Sequence, residues 1–291
     1  MRLENKIILV TGGAGFVGSN LCKALVLIKN TKVFSLDNYF TGKIENHTKG
    51  VEYIKGNTSD IINLIKFNPD VVFHLGEYSR VEQSFGDIER VWKYNTEGIF
   101  AVLEFIRKTG AKLVYAGSST KFGDNGKGQN ASPYAWTKST NTQFVKNYGN
   151  WFNIDFAITY FYNVYGKNEI SEGKYATLIA LFTKKYKEGD SLTVVSPGTQ
   201  ERNFTYIDDI VSGLILVGES GSGDGYGIGY KEAYTILEIA KMFGGNIEML
   251  PNRKGNRMSA ELITKKTEDL GWAPKVSIKE YINNLKFQLK N

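Results

Sequence analysis

Residues 8–25, ILVTGGAGFVGSNLCKAL, decide the fold, because an apolar run passes directly into glycines and then into a helical pattern. Gly12, Gly15 and Gly18 follow the spacing G-x-x-G-x-x-G between a predicted buried strand and a predicted helix. The first glycine permits a tight turn, the second lets the backbone approach a pyrophosphate, and the third lets the helix pack closely on the strand. The start of that helix also offers free N–H groups and a partial positive charge to phosphate oxygens. The stretch therefore predicts a dinucleotide-binding βαβ unit.

Asp37 is the last residue of the second predicted strand, VFSLD at 33–37, and lies about 20 residues after the glycines. An acid at this place accepts hydrogen bonds from the ribose hydroxyls of adenosine and repels a 2′-phosphate. The glycines alone would also fit a tight turn that binds nothing, but the added carboxylate favours a cofactor. We therefore predict that the chain binds NAD rather than NADP.

Strands and helices alternate over the first half of the chain. Further apolar strands are predicted at 51–56, 71–76, 112–119 and 156–166, with helices at 60–66, 86–109 and 132–149. Apolar strands that alternate with helices are typical of a parallel sheet covered on both faces. The predicted fold class is α/β, a Rossmann-type doubly wound parallel sheet with a smaller C-terminal α/β lobe that binds the substrate.

The alternating rhythm changes after Gly166, and this change sets the expected domain boundaries. The NAD-binding Rossmann domain is expected to comprise residues 1–165, with residues 205–220 returning to it. The substrate-binding lobe is expected to comprise residues 166–204 and 221–291. The segment SGSGDGYG at 220–227 is predicted to be a flexible loop because of its glycines.

The composition argues against several classes of protein. The chain has 291 residues and a formal net charge of +6, but its lysines are scattered and no nucleic-acid-binding motif is present. A single cysteine, Cys22, and two histidines far apart in sequence argue against a disulfide and against a metal site. No apolar run is long enough to cross a bilayer, and the charged start does not resemble a signal peptide. A cytoplasmic enzyme without nucleic-acid or membrane partners is expected.

Three polar residues form a predicted catalytic group at the carboxyl edge of the sheet. Tyr134 and Lys138 are four residues apart on a predicted helix and so share one face. Ser118 ends the fifth predicted strand, at the edge where doubly wound sheets place their sites. A phenol is a weak base at neutral pH, but a neighbouring ammonium group favours its phenolate form. The group suits removal of a hydride from a secondary alcohol. His74 is expected to be packed in its strand and not to act as a base.

Segments along the whole sequence resemble motifs of the extended short-chain dehydrogenase/reductase family, the nucleotide-sugar epimerases and dehydratases. In chain order they are TGGAGFVG (11–18), LDNYFTGK (36–43), VFHLGEYSRVEQS (72–84), NTEG (95–98), VYAGSSTKFG (114–123), SPYAWTK (132–138), YFYNVYG (160–166), ERNFTYIDDIV (201–211) and LGWAPK (270–275). The resemblance is nearest to the UDP-glucose 4-epimerase-like members of the family.

The resemblance implies a role for individual residues. The catalytic residues would be Ser118, Tyr134 and Lys138. NAD would contact Gly12, Gly15, Phe16, Val17, Gly18, Asp37, Asn38, Gly42, Lys43, Asn57, Thr58, Leu75, Gly76, Glu77, Asn95, Tyr134, Lys138 and Tyr162. A nucleotide-diphosphate sugar would contact Ser79, Arg80, Ser118, Ser119, Thr120, Asn163, Arg202 and Arg257. Arg253 is the alternative to Arg257 as a second guanidinium group for the phosphate oxygens.

The residues after Ser118 narrow the reaction that the resemblance implies. Dehydratases of the family carry an Asp-Glu pair there and decarboxylases use a nearby Glu, whereas this chain has Ser119 and Thr120. A 4-epimerase is therefore favoured, which oxidises the sugar at C4 to a 4-keto sugar and returns the hydride to the opposite face. A nucleotide-sugar 4-dehydrogenase or 4-keto reductase is the alternative. A non-catalytic NAD-binding protein is disfavoured by the intact catalytic residues.

Several positions depart from the family pattern. Glu77 and Arg80 stand beside the expected nicotinamide pocket. They are either a solvated pair at its rim or a sign of an unusual sugar or of an oxidised product that is not returned. Asn57 replaces the acid expected near adenine, so a neutral amide would make that contact. The predicted helices at 86–109 and 132–149 carry apolar residues on more than one face. In relatives these helices pair across a twofold axis, so a homodimer is expected from the resemblance.

Overall fold

A computed structural model describes residues 1–290 of the chain. Its strands are β1 (Ile7–Thr11), β2 (Lys32–Asp37), β3 (Val51–Lys55), β4 (Val71–His74), β5 (Lys112–Ser118), β6 (Phe156–Phe161), β7 (Val164–Tyr165), β8 (Leu192–Val195), β9 (Glu201–Asn203), β10 (Thr205–Tyr206), β11 (Gly223–Ile228), β12 (Ala233–Thr235) and β13 (Ile247–Leu250). Its α-helices are α1 (Phe16–Leu25), α2 (Ile61–Leu64), α3 (Ile88–Val91), α4 (Gly98–Thr109), α5 (Pro133–Phe152), α6 (Leu178–Glu188), α7 (Ile207–Ser220), α8 (Ile236–Phe243), α9 (Lys265–Glu268) and α10 (Ile278–Lys290).

The central sheet has seven strands, all parallel, in the order β11-β6-β5-β4-β1-β2-β3. The chain builds one half outward from β1 to β3 and then crosses to β4 on the other side of β1. Strand order therefore reverses between β1 and β4, and Thr11 pairs with His74 at the carboxyl ends of these two strands. Open α/β sheets bind ligands at such a reversal. The predicted Rossmann-type doubly wound sheet is confirmed.

Side chains of the central strands alternate between two apolar cores, one on each face of the sheet. In β1, Ile8 and Val10 pack in the core that includes α1 and α7, whereas Leu9 packs in the core that includes α4 and α5. A strand buried on both faces is a nearly continuous apolar run, which explains why this segment signals a central strand. The two cores hold the carboxyl ends of the strands in place, and the site lies at those ends.

The segment at 220–227, predicted to be a flexible loop, is a strand over most of its length, so that prediction was wrong. β11 pairs in parallel with β6 at the edge of the central sheet, and Tyr226 is buried. Its glycines serve a close approach of two backbones, since a Cβ on Gly227 would lie 2.3 Å from the carbonyl oxygen of Ile263. The central sheet therefore includes residues that the expected division gave to the second lobe.

The predicted helix at 86–109 is interrupted. It consists of α3, a π-helical turn at Trp92–Glu97, and α4. Within this wider turn Asn95 is buried, and its side chain accepts from the N–H of Tyr78 and donates to the carbonyl oxygen of Tyr78. A π turn is a local irregularity that the apolar pattern of a helix does not reveal.

The helix that carries the predicted base, α5, begins where the sequence indicates. Ser132 caps it by accepting a hydrogen bond from the N–H of Ala135 at 3.1 Å, and Pro133 occupies the first turn. The cap fixes the start of the helix and therefore the direction of Tyr134, the next residue after the proline.

The second lobe contains the two-stranded sheets β8–β13 and β9–β12 together with α6, α8 and α10. Its core is formed by buried apolar side chains that include Phe182, Leu192, Phe243 and Ile282. The lobe borders the carboxyl ends of the central strands, so the cleft between them is lined from both sides. In the described part of the chain, no helix is long and apolar enough to cross a membrane.

Candidate active site

A cavity of about 650 Å³ runs from the glycine turn across the carboxyl ends of the central strands to the second lobe. This volume lies within the usual range for small-molecule sites. The predicted catalytic and substrate residues meet in this one cavity, because its wall includes Ser79, Arg80, Ser118, Ser119, Thr120, Tyr134, Lys138, Asn163, Arg202 and Arg257.

The glycine turn excludes side chains and leaves room for a dinucleotide. Gly12 has a φ of +75°, and a Cβ on it would lie 2.9 Å from the Cα of Gly76. A Cβ on Gly18 would lie 2.1 Å from the carbonyl oxygen of Gly12. α1 starts at Phe16, and no side chain of residues 1–290 caps it. The first N–H groups of the helix are therefore left for a ligand, as a pyrophosphate requires.

Asp37 lies beside this turn, with its carboxylate held by two backbone donors. Its Oδ2 accepts from the N–H of Ala14 at 2.9 Å, and its Oδ1 accepts from the N–H of Tyr39 at 2.8 Å. Burial raises the pKa of Asp37 above its ordinary value, and the two donors partly offset that rise. Each oxygen keeps a further lone pair, and the residue borders the cavity, so the carboxylate can accept from ribose hydroxyls.

The structure places most of the predicted cofactor residues at the cavity wall, and some of them behind it. At the wall are Gly12, Gly15, Phe16, Val17, Gly18, Asp37, Asn38, Thr58, Leu75, Gly76, Glu77, Tyr134 and Lys138. Outside the wall are Gly42, Lys43, Asn57, Asn95 and Tyr162.

The residues behind the wall have other partners. The hydroxyl of Tyr162 donates to the carbonyl oxygen of Glu261, and Asn95 bonds the backbone of Tyr78 as described above. Asn57 accepts a hydrogen bond from the side-chain amide of Asn38 at 3.0 Å and so supports a wall residue. These side chains brace the wall from behind, since their polar atoms are engaged within the protein.

The three predicted catalytic residues come together between β5 and α5. The hydroxyl of Tyr134 donates to Oγ of Ser118 at 3.1 Å, and that oxygen also accepts from the hydroxyl of Thr120 at 2.9 Å. Lys138 lies one helical turn beyond Tyr134, is buried, and donates from Nζ to the carbonyl oxygen of Ala116 at 2.7 Å. A substrate hydroxyl in the cavity can therefore meet Ser118 and Tyr134 together, with the positive charge of Lys138 nearby.

Glu77 is the ionic partner of Lys138, a contact that nothing in the sequence indicates. The two side chains form an ion pair, and only 1% of the Glu77 side chain is exposed. The carboxylate also accepts from the hydroxyl of Tyr115 at 3.0 Å and from the amide of Asn141 at 3.1 Å. Burial alone would raise the pKa of Glu77, but the charge of Lys138 and the ring of His74 hold it below its ordinary value. The interpretation of a solvated pair at the rim is therefore wrong for Glu77.

His74 faces the same carboxylate from the end of β4. Its Nε2 lies 3.5 Å from Oε1 of Glu77, which is longer than a good hydrogen bond. Its Nδ1 lies 2.7 Å from the hydroxyl of Thr11, an oxygen that already accepts the N–H groups of Leu75 and Gly76. Thr11 therefore donates to Nδ1, which is the arrangement of a neutral ring with its hydrogen on Nε2. Nε2 itself has no hydrogen-bond partner among the described residues. As predicted, His74 is fully buried in the sheet.

Two arginines lie close together in the cavity wall, next to Ser119. Arg202 donates from Nη2 to the carbonyl oxygen of Arg257 at 2.8 Å, and Arg257 donates from Nη2 to Oγ of Ser119 at 3.2 Å. Burial, followed by the charge of Arg257, lowers the pKa of Arg202 to about 10. Nη1 of Arg257 is buried and has no partner among residues 1–290. Paired guanidinium groups bonded to neutral oxygens can receive an anion such as a diphosphate.

Arg253, the alternative to Arg257, already has an acidic partner. It forms an ion pair with Glu82 at 2.5 Å, and both side chains are exposed. Its charge is therefore compensated by another side chain, although the residue borders the cavity. The geometry favours Arg257 as the second guanidinium group.

Arg80 is fixed at the cavity wall by neutral oxygens. Its Nε donates to the carbonyl oxygen of Tyr175 at 2.9 Å, and its Nη1 donates to the carbonyl oxygen of Ser79 at 2.9 Å. Burial lowers the pKa of Arg80 below its ordinary value. Its guanidinium group is thus held without a salt bridge in the described chain, beside the predicted catalytic residues.

Glu169 also lines the cavity, and no signal in the sequence pointed to it. Its Oε2 accepts from the N–H of Gly166 at 2.9 Å, while its Oε1 is buried without a partner among the described residues. Burial raises the pKa of Glu169 to about 7. The residue follows β7 in a loop without a motif, so its sequence context gave no indication of its place in the wall.

A protein-family profile and several known proteins match this chain over most of its length. The sequence profile of the NAD dependent epimerase/dehydratase family matches residues 8–229. The chain is 29% identical over 303 residues to a putative UDP-glucose 4-epimerase of Methanocaldococcus jannaschii, with 98% of this chain and 99% of the relative covered. It is 29% identical over 300 residues to UDP-glucuronic acid decarboxylase 3 of Arabidopsis thaliana, with 95% and 86% covered. The UDP-glucose 4-epimerase of Thermotoga maritima, solved with UDP-glucose, has a TM-score of 0.88 at 26% identity, over 98% and 99% of the two chains.

Proposed function

The chain belongs to the NAD-dependent epimerase/dehydratase family, and from this premise we propose that it is a nucleotide-sugar 4-epimerase. Family membership makes it an NAD-dependent enzyme. The proposed reaction oxidises the sugar at C4 to a 4-keto sugar and then returns the hydride to the opposite face of C4. The choice of epimerisation within the family rests on the residues of the cavity.

The observation that carries this choice is a serine–tyrosine–lysine group without an acid beside the serine. The two positions after Ser118 are Ser119 and Thr120, and both border the cavity. By the family resemblance, dehydratases and decarboxylases have an acid at or near these two positions. Glu77, a carboxylate that also lines the cavity, forms an ion pair with Lys138. Oxidation and reduction at one carbon require a single group that takes and returns one proton, and Tyr134 can serve as that group.

Each catalytic residue has one role in the proposed mechanism. Ser118 binds the C4 hydroxyl and directs it toward Tyr134, whose phenolate takes the proton. Lys138 stabilises the phenolate electrostatically from one helical turn away. NAD supplies the acceptor, and later the donor, of the hydride. After the 4-keto sugar has rotated in the cavity, Tyr134 returns the proton to the same oxygen, so no net acid or base is consumed.

Arg202 and Arg257 are proposed to bind the diphosphate of the substrate. Both residues line the cavity, and their guanidinium groups can still donate to a ligand, since Nη1 of Arg257 has no partner in the described chain. An anchor on the diphosphate holds the nucleotide while the sugar remains free to rotate. Such rotation is what return of a hydride to the opposite face requires.

A homodimer is proposed as well. Apolar side chains are exposed on α3, the π turn, α4 and α5, namely Ile88, Trp92, Phe100 and Trp136. Contiguous apolar surface of this kind marks an interaction site more often than free surface. Sedimentation at micromolar concentration is expected to give the mass of two chains, and a monomer would contradict the proposal.

Product analysis tests the proposed reaction. The purified enzyme is incubated separately with UDP-, GDP-, dTDP- and CDP-sugars, and the products are identified by NMR. We expect one donor at least to give a sugar inverted at C4, without net formation of NADH. Release of a 4-keto sugar together with NADH would identify a 4-dehydrogenase instead. Failure of every donor to give a C4-inverted product would contradict the epimerase proposal.

A further inference from the structure

We propose that Glu77 is a positioning residue that offsets the charge of Lys138 at the nicotinamide position and thereby favours oxidised NAD over NADH in the cavity, while Lys138 still acts on Tyr134 at close range. The proposal rests on the role of Tyr134 as the base, and it does not depend on which sugar is bound. Glu77 also departs from the alanine that the family pattern would have at this position.

The first step concerns the strength of the ionic contact. Glu77 and Lys138 are both buried, with 1% and 6% of their side chains exposed, and they are in direct contact. The hydroxyl of Tyr115 and the amide of Asn141 donate to the carboxylate as well. Burial and the Glu77 charge raise the pKa of Tyr115 well above its ordinary value, so its hydroxyl keeps the proton that it donates. The carboxylate is therefore well solvated by the protein and remains ionised.

The second step concerns the net charge of the pocket. Lys138 contributes one positive charge and Glu77 one negative charge, and His74 is satisfied as a neutral ring by its contact with Thr11. Tyr115 and Asn141 add no charge. The groups that contact Glu77 from β4, β5 and α5 thus sum to zero, whereas alanine at this position would leave the ammonium group of Lys138 without its carboxylate partner. Arg80 and Arg257 also line the cavity, and their charges are the same with either residue.

The third step concerns the cofactor. A hydride acceptor must lie in contact with the carbon whose hydroxyl meets Tyr134, and Lys138 is one helical turn from Tyr134. The nicotinamide ring is positively charged in NAD and neutral in NADH. An uncompensated charge within about 10 Å of that ring, at an effective dielectric constant of about 20, disfavours the charged ring by roughly tenfold. Glu77 removes this penalty, so the resting enzyme retains the form of the cofactor that accepts a hydride.

The test compares the affinities of the full-length protein for NAD and for NADH by isothermal titration calorimetry, with no sugar present. In Glu77→Gln the ratio of the dissociation constants, NAD over NADH, is expected to rise at least fivefold above that of the wild type. The glutamine oxygen can still accept from Asn141, so the packing is preserved. A merely structural role for Glu77 would change both affinities together and leave the ratio within twofold of the wild type, which would overturn the proposal.

Two further variants control the measurement. Tyr115→Phe removes one hydrogen bond to Glu77 but keeps both charges, so its ratio is expected to equal that of the wild type. The double variant Glu77→Gln with Lys138→Met removes both charges of the pair, so the net charge of the cavity is that of the wild type and the ratio should return to the wild-type value. Should Glu77→Gln fail to fold, Lys138→Met alone leaves the carboxylate uncompensated and is expected to lower the ratio, and an unchanged ratio would overturn the proposal. Because no sugar is used, the result is separate from the outcome of the epimerase test.

Discussion

Two groups of buried cations in the cavity wall have opposite surroundings. Beside the base, the ammonium group of Lys138 is matched by Glu77. By contrast, Arg202 and Arg257 are bonded to neutral oxygens. A matched and hydrogen-bonded pair keeps its geometry without a ligand, whereas crowded like charges are relieved only when an anion arrives. The part of the lining around Lys138 and Glu77, the matched wall, therefore suits a fixed catalytic geometry. The part around Arg202 and Arg257, the unmatched wall, suits the binding of an anionic substrate.

The largest effect is expected for the base on the matched wall. Tyr134→Phe removes the group that takes the proton and should lower kcat by about 10³-fold or more. The affinity for NAD, measured by calorimetry, should change little because the glycine turn and Asp37 are untouched. Tyr162→Phe is the matched control, since its hydroxyl bonds Glu261 behind the wall and its loss should leave kcat almost unchanged. Turnover that survives in Tyr134→Phe would refute the catalytic assignment.

The next effect distinguishes the two walls by stability. Glu77→Ala leaves Lys138 buried without its partner and should lower the free energy of unfolding by about 3–5 kcal/mol. Arg257→Ala removes one of two neighbouring like charges and should leave the stability of the ligand-free protein unchanged or raise it. Both are measured by urea denaturation at neutral pH. Equal losses of stability in the two variants would erase the distinction between the walls.

A smaller effect separates the two candidate arginines. Arg257→Ala removes a charged contact to the proposed diphosphate and should raise KM by about 10- to 100-fold, because such a hydrogen bond contributes about 1.5–3 kcal/mol. The value of kcat should fall little, since the catalytic group is unchanged. Arg253→Ala breaks an exposed ion pair with Glu82 and serves as the control with an unaltered KM. A greater rise of KM in Arg253→Ala would reverse the assignment.

The smallest effect is expected for the pH dependence of stability, through Glu169, which belongs to neither of the two groups of charged residues compared above. Its pKa is raised from 4.5 to about 7 by burial, so the folded protein binds this proton more tightly than the unfolded chain does. The stability that Glu169 contributes is therefore full below its ordinary pKa and is lost as the pH rises through about 7. The thermal midpoint of the wild type should fall over that range, and Glu169→Gln should remove this part of the decline. A decline of the same size in both proteins would show that another group is responsible.

Features that depend on neighbours in sequence could be predicted. The glycine turn, Asp37, and the pair formed by Tyr134 and Lys138 are each encoded within a few residues or one helical turn, and the structure brings them to one cavity. The start of α5 was also predictable, because Ser132 is a local cap.

Features that depend on distant contacts could not be predicted. Glu77 meets Lys138 only because the end of β4 lies beside α5, and a carboxylate in a loop gives no sign of such a partner. The choice between Arg253 and Arg257 depends on whether Glu82, far away in sequence, occupies one of them. The strand at 223–228 was mistaken for a loop, since glycines that allow two backbones to approach look the same in sequence as glycines that confer flexibility.

The edge strand β11 joins segments that are distant in sequence into one folding unit. β6 is the last strand of the N-terminal half, and its outer edge is covered by β11, which the ribosome makes more than sixty residues later. A fragment ending at residue 165 would expose the N–H and C=O groups of a long apolar strand, and such edges pair readily with other chains. The cofactor half is consequently not a module that can be exchanged by itself, and gene fusions or domain swaps between relatives must carry the segment at 223–228 along with it.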